Sequence, residues 1–168
     1  MPYRSDMHLI LVFELLVLIG VANAAPLLLK RAAGNTLAAP LDGGVTLADG
    51  RPLLGASKTI RGVAASLVVT IVLAVLMGLG WKLGAVVAFA AMAGDVLSSF
   101  VKRRLGIPPS GMALGLDQIP ESLLPFAAAA LLVPLSLLDV LLGTAIFFVA
   151  SLVVSRLLFK LRVRDEPY

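Results

Sequence analysis

The residues best suited to chemistry lie between Ala93 and Arg104, where an acid interrupts an apolar run. On a helix, four polar residues at positions i, i+3, i+4 and i+7 share one face: Asp95, Ser98, Ser99 and Lys102. Arg103 and Arg104 extend the cationic end of this segment. A carboxylate inside a membrane helix is costly and usually marks a functional site. Because phosphate-binding cations follow within two turns, the segment predicts a metal and phosphate site at a membrane surface.

Two further acids, Asp117 and Glu121, stand four residues apart at the start of a later apolar segment. If the helix that carries Asp95 brings it to the same face, Asp95 and Asp117 could bind one or two Mg²⁺ ions, since Mg²⁺ takes a few hard oxygen ligands and is completed by substrate phosphates. Two alternatives stay open. Asp117 could be a helix N-cap with Glu121 as a partner of the helix dipole, and Asp95 could be a structural acid bonded to a neighbouring serine.

The connection before the second apolar segment is rich in glycine and proline and carries its own charges. Asp42 and Asp49 each precede a glycine, which is typical of turns. Lys58 and Arg61 lie just before the start of a helix, where cations and backbone N–H groups favour an anion, although the glycine spacing is not that of a Walker motif. The alternative is an ordinary basic loop at the lipid headgroups. Asn23, near the end of the first apolar segment, could line the site or only bridge two helices.

The composition places these residues in a membrane protein. Of the 168 residues, 60% are hydrophobic and 14% charged, and mean hydropathy is +1.02. This predicts a single membrane-embedded domain over residues 1–168. Without cysteine, disulfides and thiolate metal sites are excluded, and the one histidine, His8, is expected to be interfacial. No basic tract interleaved with aromatic residues points to nucleic acid.

The apolar pattern predicts an all-α integral membrane protein with five transmembrane helices, each close to the ~20 residues that a bilayer requires. The predicted spans are Leu9–Leu29, Val63–Gly80, Leu83–Val101, Leu123–Leu138 and Val140–Leu158. Asp139 is expected in the turn between the last two, exposed to solvent. An N-terminal signal peptide is the alternative for the first span, but Glu14 interrupts its apolar core, and we expect the segment to be retained.

The distribution of basic residues predicts the orientation. All of the 14 Lys and Arg residues except Arg4 and Lys82 fall in the two long connections or near the C-terminus. The positive-inside rule therefore places the N-terminus outside, the C-terminus and two long loops in the cytoplasm, and the candidate site on the cytoplasmic face of a multi-pass protein of the cell membrane.

Six motifs, taken in order, resemble those of CDP-archaeol synthases, which are related more distantly to phosphatidate cytidylyltransferases. The motifs cover essentially the whole chain: Asn23-Ala24-Ala25-Pro26, Pro40-Leu41-Asp42-Gly43-Gly44, Asp49-Gly50-Arg51-Pro52-Leu53-Leu54-Gly55, Ser57-Lys58-Thr59-Ile60-Arg61-Gly62, Gly94-Asp95 to Leu105-Gly106, and Leu116-Asp117-Gln118. The chain departs from the family pattern after Gln118, where Ile119-Pro120-Glu121 puts a glutamate one place beyond the usual second aspartate.

The resemblance implies Mg²⁺-dependent transfer of CMP from CTP to a lipid phosphate, with release of pyrophosphate. The implied lipid is the archaeal ether digeranylgeranylglycerol phosphate. Asp95 and Asp117, with Glu121 as a further candidate, would hold the metal, and Lys58 and Arg61 would act in catalysis. The implied substrate-binding residues are Asn23, Asp42, Asp49, Ser98, Ser99, Lys102, Arg103 and Arg104.

Three other functions remain open on the sequence. A small transporter would place polar residues through the depth of the membrane, whereas here they gather at one end. A catalytically silent scaffold could descend from the enzyme. The same chemistry could also act on phosphatidic acid or a polyprenyl phosphate, because apolar helices do not encode which chains they accept. The sequence does not determine the oligomeric state or the number of metal ions.

Overall fold

The structure, a computed structural model, describes residues 8–108, 111 and 113–160, excluding the side chain of Leu158. Five helices follow one another: α1 (Leu9–Ala33), α2 (Ile60–Leu76), α3 (Trp81–Arg104), α4 (Gln118–Ala129) and α5 (Leu137–Lys160). Within these described ranges there is no β-strand, only two isolated antiparallel bridges, Pro40–Thr59 and Thr46–Pro52, in the α1–α2 connection. The predicted all-α class is confirmed.

Helix α3 packs most extensively against α4 and α2 and also contacts α1, while α1 contacts all four other helices. The largest fully buried apolar side chains include Leu15, Leu18, Val87 and Phe126. Many large apolar side chains remain exposed on the outer faces, such as Ile10 and Phe89. This is the arrangement expected when hydrocarbon surrounds the bundle, since helices in lipid associate through close van der Waals packing rather than by hiding apolar surface from water.

Two glycines bring α4 close to its neighbours. A Cβ built on Gly94 of α3 would lie 2.2 Å from the carbonyl oxygen of Pro120, and one on Gly143 of α5 would lie 2.3 Å from the ring of Phe126. No side chain fits in either place. The missing Cβ atoms therefore allow α4 to sit directly on α3 and α5, which fixes the position of the first turn of α4.

Three helices are long and apolar enough to cross a bilayer among the described residues: Leu9–Ala33, Trp81–Arg104 and Leu137–Leu157. The shorter apolar helix Ile60–Leu76 has 17 residues. The predicted fourth span, Leu123–Leu138, has the wrong bounds, because α4 begins at Gln118 and ends at Ala129 after 12 residues. Residues 130–136 continue as turns and irregular chain before α5. The predicted bounds were wrong because residues 130–136 are as apolar as α4 itself, so hydropathy does not show that the helix ends before Pro134.

The predicted solvent exposure of Asp139 is also wrong. Its side chain is fully buried and accepts hydrogen bonds from the backbone N–H of Ser136 (2.9 Å), the hydroxyl of Ser136 (2.7 Å) and the backbone N–H of His8 (3.1 Å). Nδ1 of His8 lies 3.4 Å from the same carboxylate. This cluster joins the start of α1 to the start of α5, at the opposite end of the bundle from Lys58 and Asp95.

Candidate functional site

Lys58 and Asp95 form the centre of the candidate site. The Lys58 ammonium lies 2.5 Å from both carboxylate oxygens of Asp95, and each side chain is about four-fifths buried. Lys58 comes just before α2, whose N-cap Thr59 accepts a hydrogen bond from the N–H of Gly62. The capped helix start holds the lysine at the level of Asp95 on α3. The sequence indicated a role for each of these two residues but did not predict that they form an ion pair.

Glu121 is the second carboxyl at this centre. It lies in the first turn of α4, half-buried, within hydrogen-bonding reach of Asp95 and close enough to Lys58 and Asp117 to interact electrostatically with both. The contact of Gly94 with Pro120 produces this approach, because it presses the backbone before Glu121 onto the helix that carries Asp95. Carboxyl groups this close share a proton or a cation. Lys58 pairs directly with Asp95 and acts on Glu121 only through space.

Asp117 and Lys102 form a second ion pair beside the first. The Lys102 ammonium lies 2.8 Å and 3.1 Å from the two oxygens of Asp117, and the backbone N–H of Ala113 donates to the same carboxylate. Asp117 occupies the N-cap position of α4, but its side chain makes no capping bond. The structure thus favours its ion-pair role over the alternative of a helix cap.

Arg103 is buried at the end of α3, with 4% of its surface exposed. One guanidinium nitrogen donates to the carbonyl of Pro108 at 3.1 Å, while Nε and Nη1 are buried without a partner. A buried guanidinium with unused donors is costly unless an anion completes it. Arg103 is therefore a candidate for binding a phosphate oxygen.

Arg104 points instead toward the α1–α2 connection. It forms an ion pair of 2.6 Å with Asp49 and donates to the carbonyls of Arg51 and Pro52, while Arg51 donates to the carbonyl of Arg104. The hydrogen bond from the backbone N–H of Arg51 and the Arg104 guanidinium hold the pKa of Asp49 below its usual 3.8. These contacts fasten the connection to the end of α3, and they leave Asp49 engaged with protein groups.

Asp42 has a similar structural position within the same connection. Its carboxylate accepts hydrogen bonds from the backbone N–H groups of Gly44 (3.0 Å), Leu54 (2.8 Å) and Gly55 (3.2 Å). Partial burial raises the pKa of Asp42, but these backbone donors outweigh it and the pKa falls below 3.8. Asp42 therefore stabilises the loop that precedes Lys58, and its carboxylate is engaged with backbone groups of that loop.

The remaining predicted residues differ in their contacts. The Arg61 guanidinium donates to the carbonyls of Gly34 and Thr36, just after α1 ends. The amide nitrogen of Asn23 is buried without a hydrogen-bond partner. Ser98 is buried and donates to the carbonyl of Gly94 at 2.8 Å, and Ser99 is buried beside it.

The donor set can be compared with the needs of a metal ion. Among the described residues, no three Asp, Glu or His side chains are already arranged to hold a metal. The donors nonetheless fit Mg²⁺ in kind, because Asp95, Glu121 and Asp117 offer carboxylate oxygens and Mg²⁺ usually takes only one or two of these from protein. In the structure, the ammonium groups of Lys58 and Lys102 supply the positive charge beside Asp95 and Asp117.

The comparison with known proteins decides the family. The family model described as CarS-like CDP-archaeol synthase matches residues 7–85 and 80–168, and so nearly the whole chain. The chain belongs to the CDP-archaeol synthase family.

Individual relatives agree with this assignment to the CDP-archaeol synthase family. A CDP-archaeol synthase of Pyrococcus furiosus is 38% identical over 107 residues, which cover 58% of this chain and 60% of the relative, so this match spans less than two thirds of that protein. The CDP-archaeol synthase of Sulfurisphaera tokodaii is 30% identical over 136 residues, 77% of this chain and 81% of the relative.

A solved structure extends the CDP-archaeol synthase likeness to the fold. It is reported as an intramembrane enzyme for archaeal membrane lipids biosynthesis, and it is 33% identical to this chain with a TM-score of 0.68. The superposition covers 84% of this chain and 90% of that one. The helical architecture is thus shared with an enzyme that works within the membrane.

Some residues around the candidate site were not predicted to contact one another. Gly94 and Pro120 set the approach of α3 to α4, and Arg51 returns the contact of Arg104. The small residue next to Asp95 and the proline next to Glu121 could have suggested a helix contact. Nothing in their spacing, however, identified the two as partners.

Proposed function

We propose that this chain transfers CMP from CTP to a lipid phosphate and releases pyrophosphate. The observation that carries the proposal is the pair of buried lysine–carboxylate contacts, Lys58–Asp95 and Lys102–Asp117, at one end of an apolar helical bundle. Buried ion pairs contribute little net stabilisation to a fold. A cluster of positive and negative side chains is therefore better explained by binding of a highly charged substrate than by a role in stability. Membership of the CDP-archaeol synthase family supports the same activity.

In the proposed reaction, an oxygen of the lipid phosphate attacks the α-phosphorus of CTP. The bond from that phosphorus to the bridging oxygen breaks, and pyrophosphate leaves with the electron pair. The attacking phosphate is already ionised at neutral pH, so no general base is needed. Lys58, Lys102 and Arg103 position the phosphates and offset the charge that develops on the departing group.

The carboxylates would hold a divalent cation for this step. We propose that Asp95, Asp117 and Glu121 contribute the protein ligands for Mg²⁺, and that Lys58 and Lys102 turn from these carboxylates toward the incoming phosphates. Bound Mg²⁺ supplies charge neutralisation at triphosphate oxygens. The buried amide nitrogen of Asn23 and two guanidinium nitrogens of Arg103 have no hydrogen-bond partner, and we propose that substrate oxygens accept from them.

We also propose an acceptor lipid and an orientation of the chain in the membrane. The names of the relatives, CDP-archaeol synthases, support an archaeal ether lipid phosphate as acceptor. The resemblance of the sequence motifs implies that this lipid is digeranylgeranylglycerol phosphate. We place five membrane crossings, with α4 and residues 130–136 together making the fourth, an outer N-terminus and a cytoplasmic C-terminus. The site would then face the cytoplasm of the cell membrane, where CTP is available, and the lipid would arrive from the bilayer.

The experiment is pyrophosphate release by purified protein in detergent, given CTP, Mg²⁺ and a panel of three acceptors: the archaeal ether lipid phosphate, phosphatidic acid and a polyprenyl phosphate. Asp95→Asn should reduce turnover at least 100-fold, in the range seen when a group that stabilises the transition state is removed. Glu14→Gln, which neutralises a carboxylate in α1 near the opposite end, is the matched control and should retain activity. Substantial turnover by folded Asp95→Asn would refute the assignment.

A further inference from the structure

The surface between α1 and α2 carries an apolar groove of about 380 Å³ that the proposed reaction has not used. Its lining includes Ala24, Ala25, Leu28 and Leu29 on α1 and Ala65 and Val69 on α2. Beside it, the two helices approach closely, since a Cβ on Gly62 would lie 3.1 Å from Cβ of Pro26. This contact closes the space between the helices, so the groove is a channel along the surface rather than a passage into the core.

Arg61 lies one helical turn before the residues of α2 that line the groove, although it does not line the groove itself. Arg61, Ala65 and Val69 stand at i, i+4 and i+8 and therefore share a face of α2. The Arg61 guanidinium binds the carbonyls of Gly34 and Thr36, beyond the last turn of α1. These contacts in the described part of the chain are to neutral oxygens, so the positive charge of Arg61 is not offset by a carboxylate there.

An apolar channel with a guanidinium one helical turn beyond its lining, a position that we call its mouth, is complementary to an amphiphile with an anionic head. Arg61 is also three residues from Lys58, which brings this mouth to the side of the proposed reaction site. Building on the proposed function, we infer that the groove between α1 and α2 holds a hydrocarbon chain of the acceptor lipid phosphate, with Arg61 at the headgroup end.

Filling the groove tests the inference. Ala65→Leu should raise the KM for the long-chain lipid phosphate about tenfold, because added methylene groups take the space of the bound chain. The KM for CTP and the turnover of a short-chain, water-soluble analogue should stay within about twofold. Ala64→Leu is the matched control: Ala64 is exposed beside Ala65 but does not line the groove, and its substitution should change neither acceptor.

Equal effects of the two leucine variants would overturn the inference, as would equal impairment of the long-chain and short-chain acceptors by Ala65→Leu. If the unaltered protein turns over no acceptor, the proposed function fails instead, and a second measurement still tests the groove. For it, a lipid phosphate with a photoreactive diazirine in its chain is irradiated with the unaltered protein. Label is expected in peptides containing residues 21–32 and 65–69.

Competition identifies the source of the bound chain. Unlabelled lipid phosphate should displace the photoreactive lipid from these peptides, whereas excess phosphatidylglycerol should not. Equal displacement by phosphatidylglycerol would mean that ordinary membrane lipid fills the groove, and label confined to other helices would mean that the acceptor lies elsewhere. Either result contradicts the inference.

Discussion

Two buried aspartates at opposite ends of the bundle have different partners and predict different mutant behaviour. Asp95 pairs with the ammonium group of Lys58, on a long and flexible side chain, and lies beside the carboxyl group of Glu121. Asp139 accepts three hydrogen bonds, two of them from backbone N–H groups, and is fully enclosed. The first arrangement can open to receive phosphates, whereas the second is fixed and holds the ends of two helices together.

Asp139→Asn is therefore expected to lower stability rather than chemistry. An amide nitrogen in place of one acceptor oxygen leaves a buried N–H group of His8 or Ser136 unsatisfied, at a cost of about 1–3 kcal/mol. Thermal unfolding in detergent should show a lower midpoint, while turnover of the folded fraction per molecule stays near that of the unaltered protein. Loss of turnover without loss of stability would connect this end of the bundle to the reaction.

The lowered pKa of Asp42 predicts a response to acid in the α1–α2 connection. Because its folded pKa lies below 3.8, the carboxylate stabilises the loop above that pH, and this contribution is lost as pH falls through the folded value. Limited digestion with pepsin at graded pH should show cleavage within residues 40–55 rising below pH 3.8. Asp42→Asn should be cleaved readily at every pH tested, and a pH profile like that of the unaltered protein would contradict this explanation.

At the scale of the helices, α4 illustrates what the sequence can and cannot predict. Hydropathy identified five apolar segments, and five helices are present, because long apolar runs need internal backbone hydrogen bonding in lipid. The same signal could not find the end of α4 at Ala129, since the turns that follow are just as apolar. Nor could it pair Lys58 with Asp95 across 37 positions, a contact that exists only because α2 and α3 pack together.

The close contact of α3 with α4 predicts a large effect from one methyl group. Gly94→Ala would place a Cβ about 2.2 Å from the carbonyl of Pro120, so α4 must shift and Glu121 must leave Asp95. We expect stability to fall by about 1–3 kcal/mol, the usual cost of overpacking. Turnover should fall at least tenfold beyond what lost folded protein explains, because displacement of a positioned group is costly.

Gly20→Ala is the matched control for Gly94→Ala, because a Cβ on Gly20 in α1 would meet no atom within 4 Å. Alanine has the better helix propensity, so this variant should be as stable as the unaltered protein or more so by up to about 1 kcal/mol. Thermal unfolding and pyrophosphate release would be measured on both variants together. Similar behaviour of the two would show that α3 and α4 can separate without consequence.

At the scale of the whole molecule, the charged residues divide the bundle into two ends. Lys58, Asp95 and Asp117 meet at one end, whereas His8 and Asp139 meet at the other. The absence of cysteine from the sequence makes the orientation simple to test with single cysteine variants. Ala56→Cys and Lys82→Cys are both exposed positions, and they belong to the two different ends.

A membrane-impermeant maleimide should therefore label Lys82→Cys in intact cells and Ala56→Cys only in inverted membrane vesicles. This expectation follows from the excess of Lys and Arg at the end that carries Ala56. The reverse pattern would place the candidate site outside, away from CTP. Labelling of both positions from one side would contradict the alternating course of the helices.

The charged residues at the centre of the candidate site come from different halves of the chain. The part before the turn at Gly78–Gly80 supplies Lys58, while the part after it supplies Asp95 and Glu121. Were the chain cut at that turn, the second fragment would carry the neighbouring carboxyl groups of Asp95 and Glu121 into the membrane without the ammonium that pairs with Asp95. The two fragments would then each lack what the other provides, so that recognition between the halves of the protein and assembly of its reactive centre become a single event.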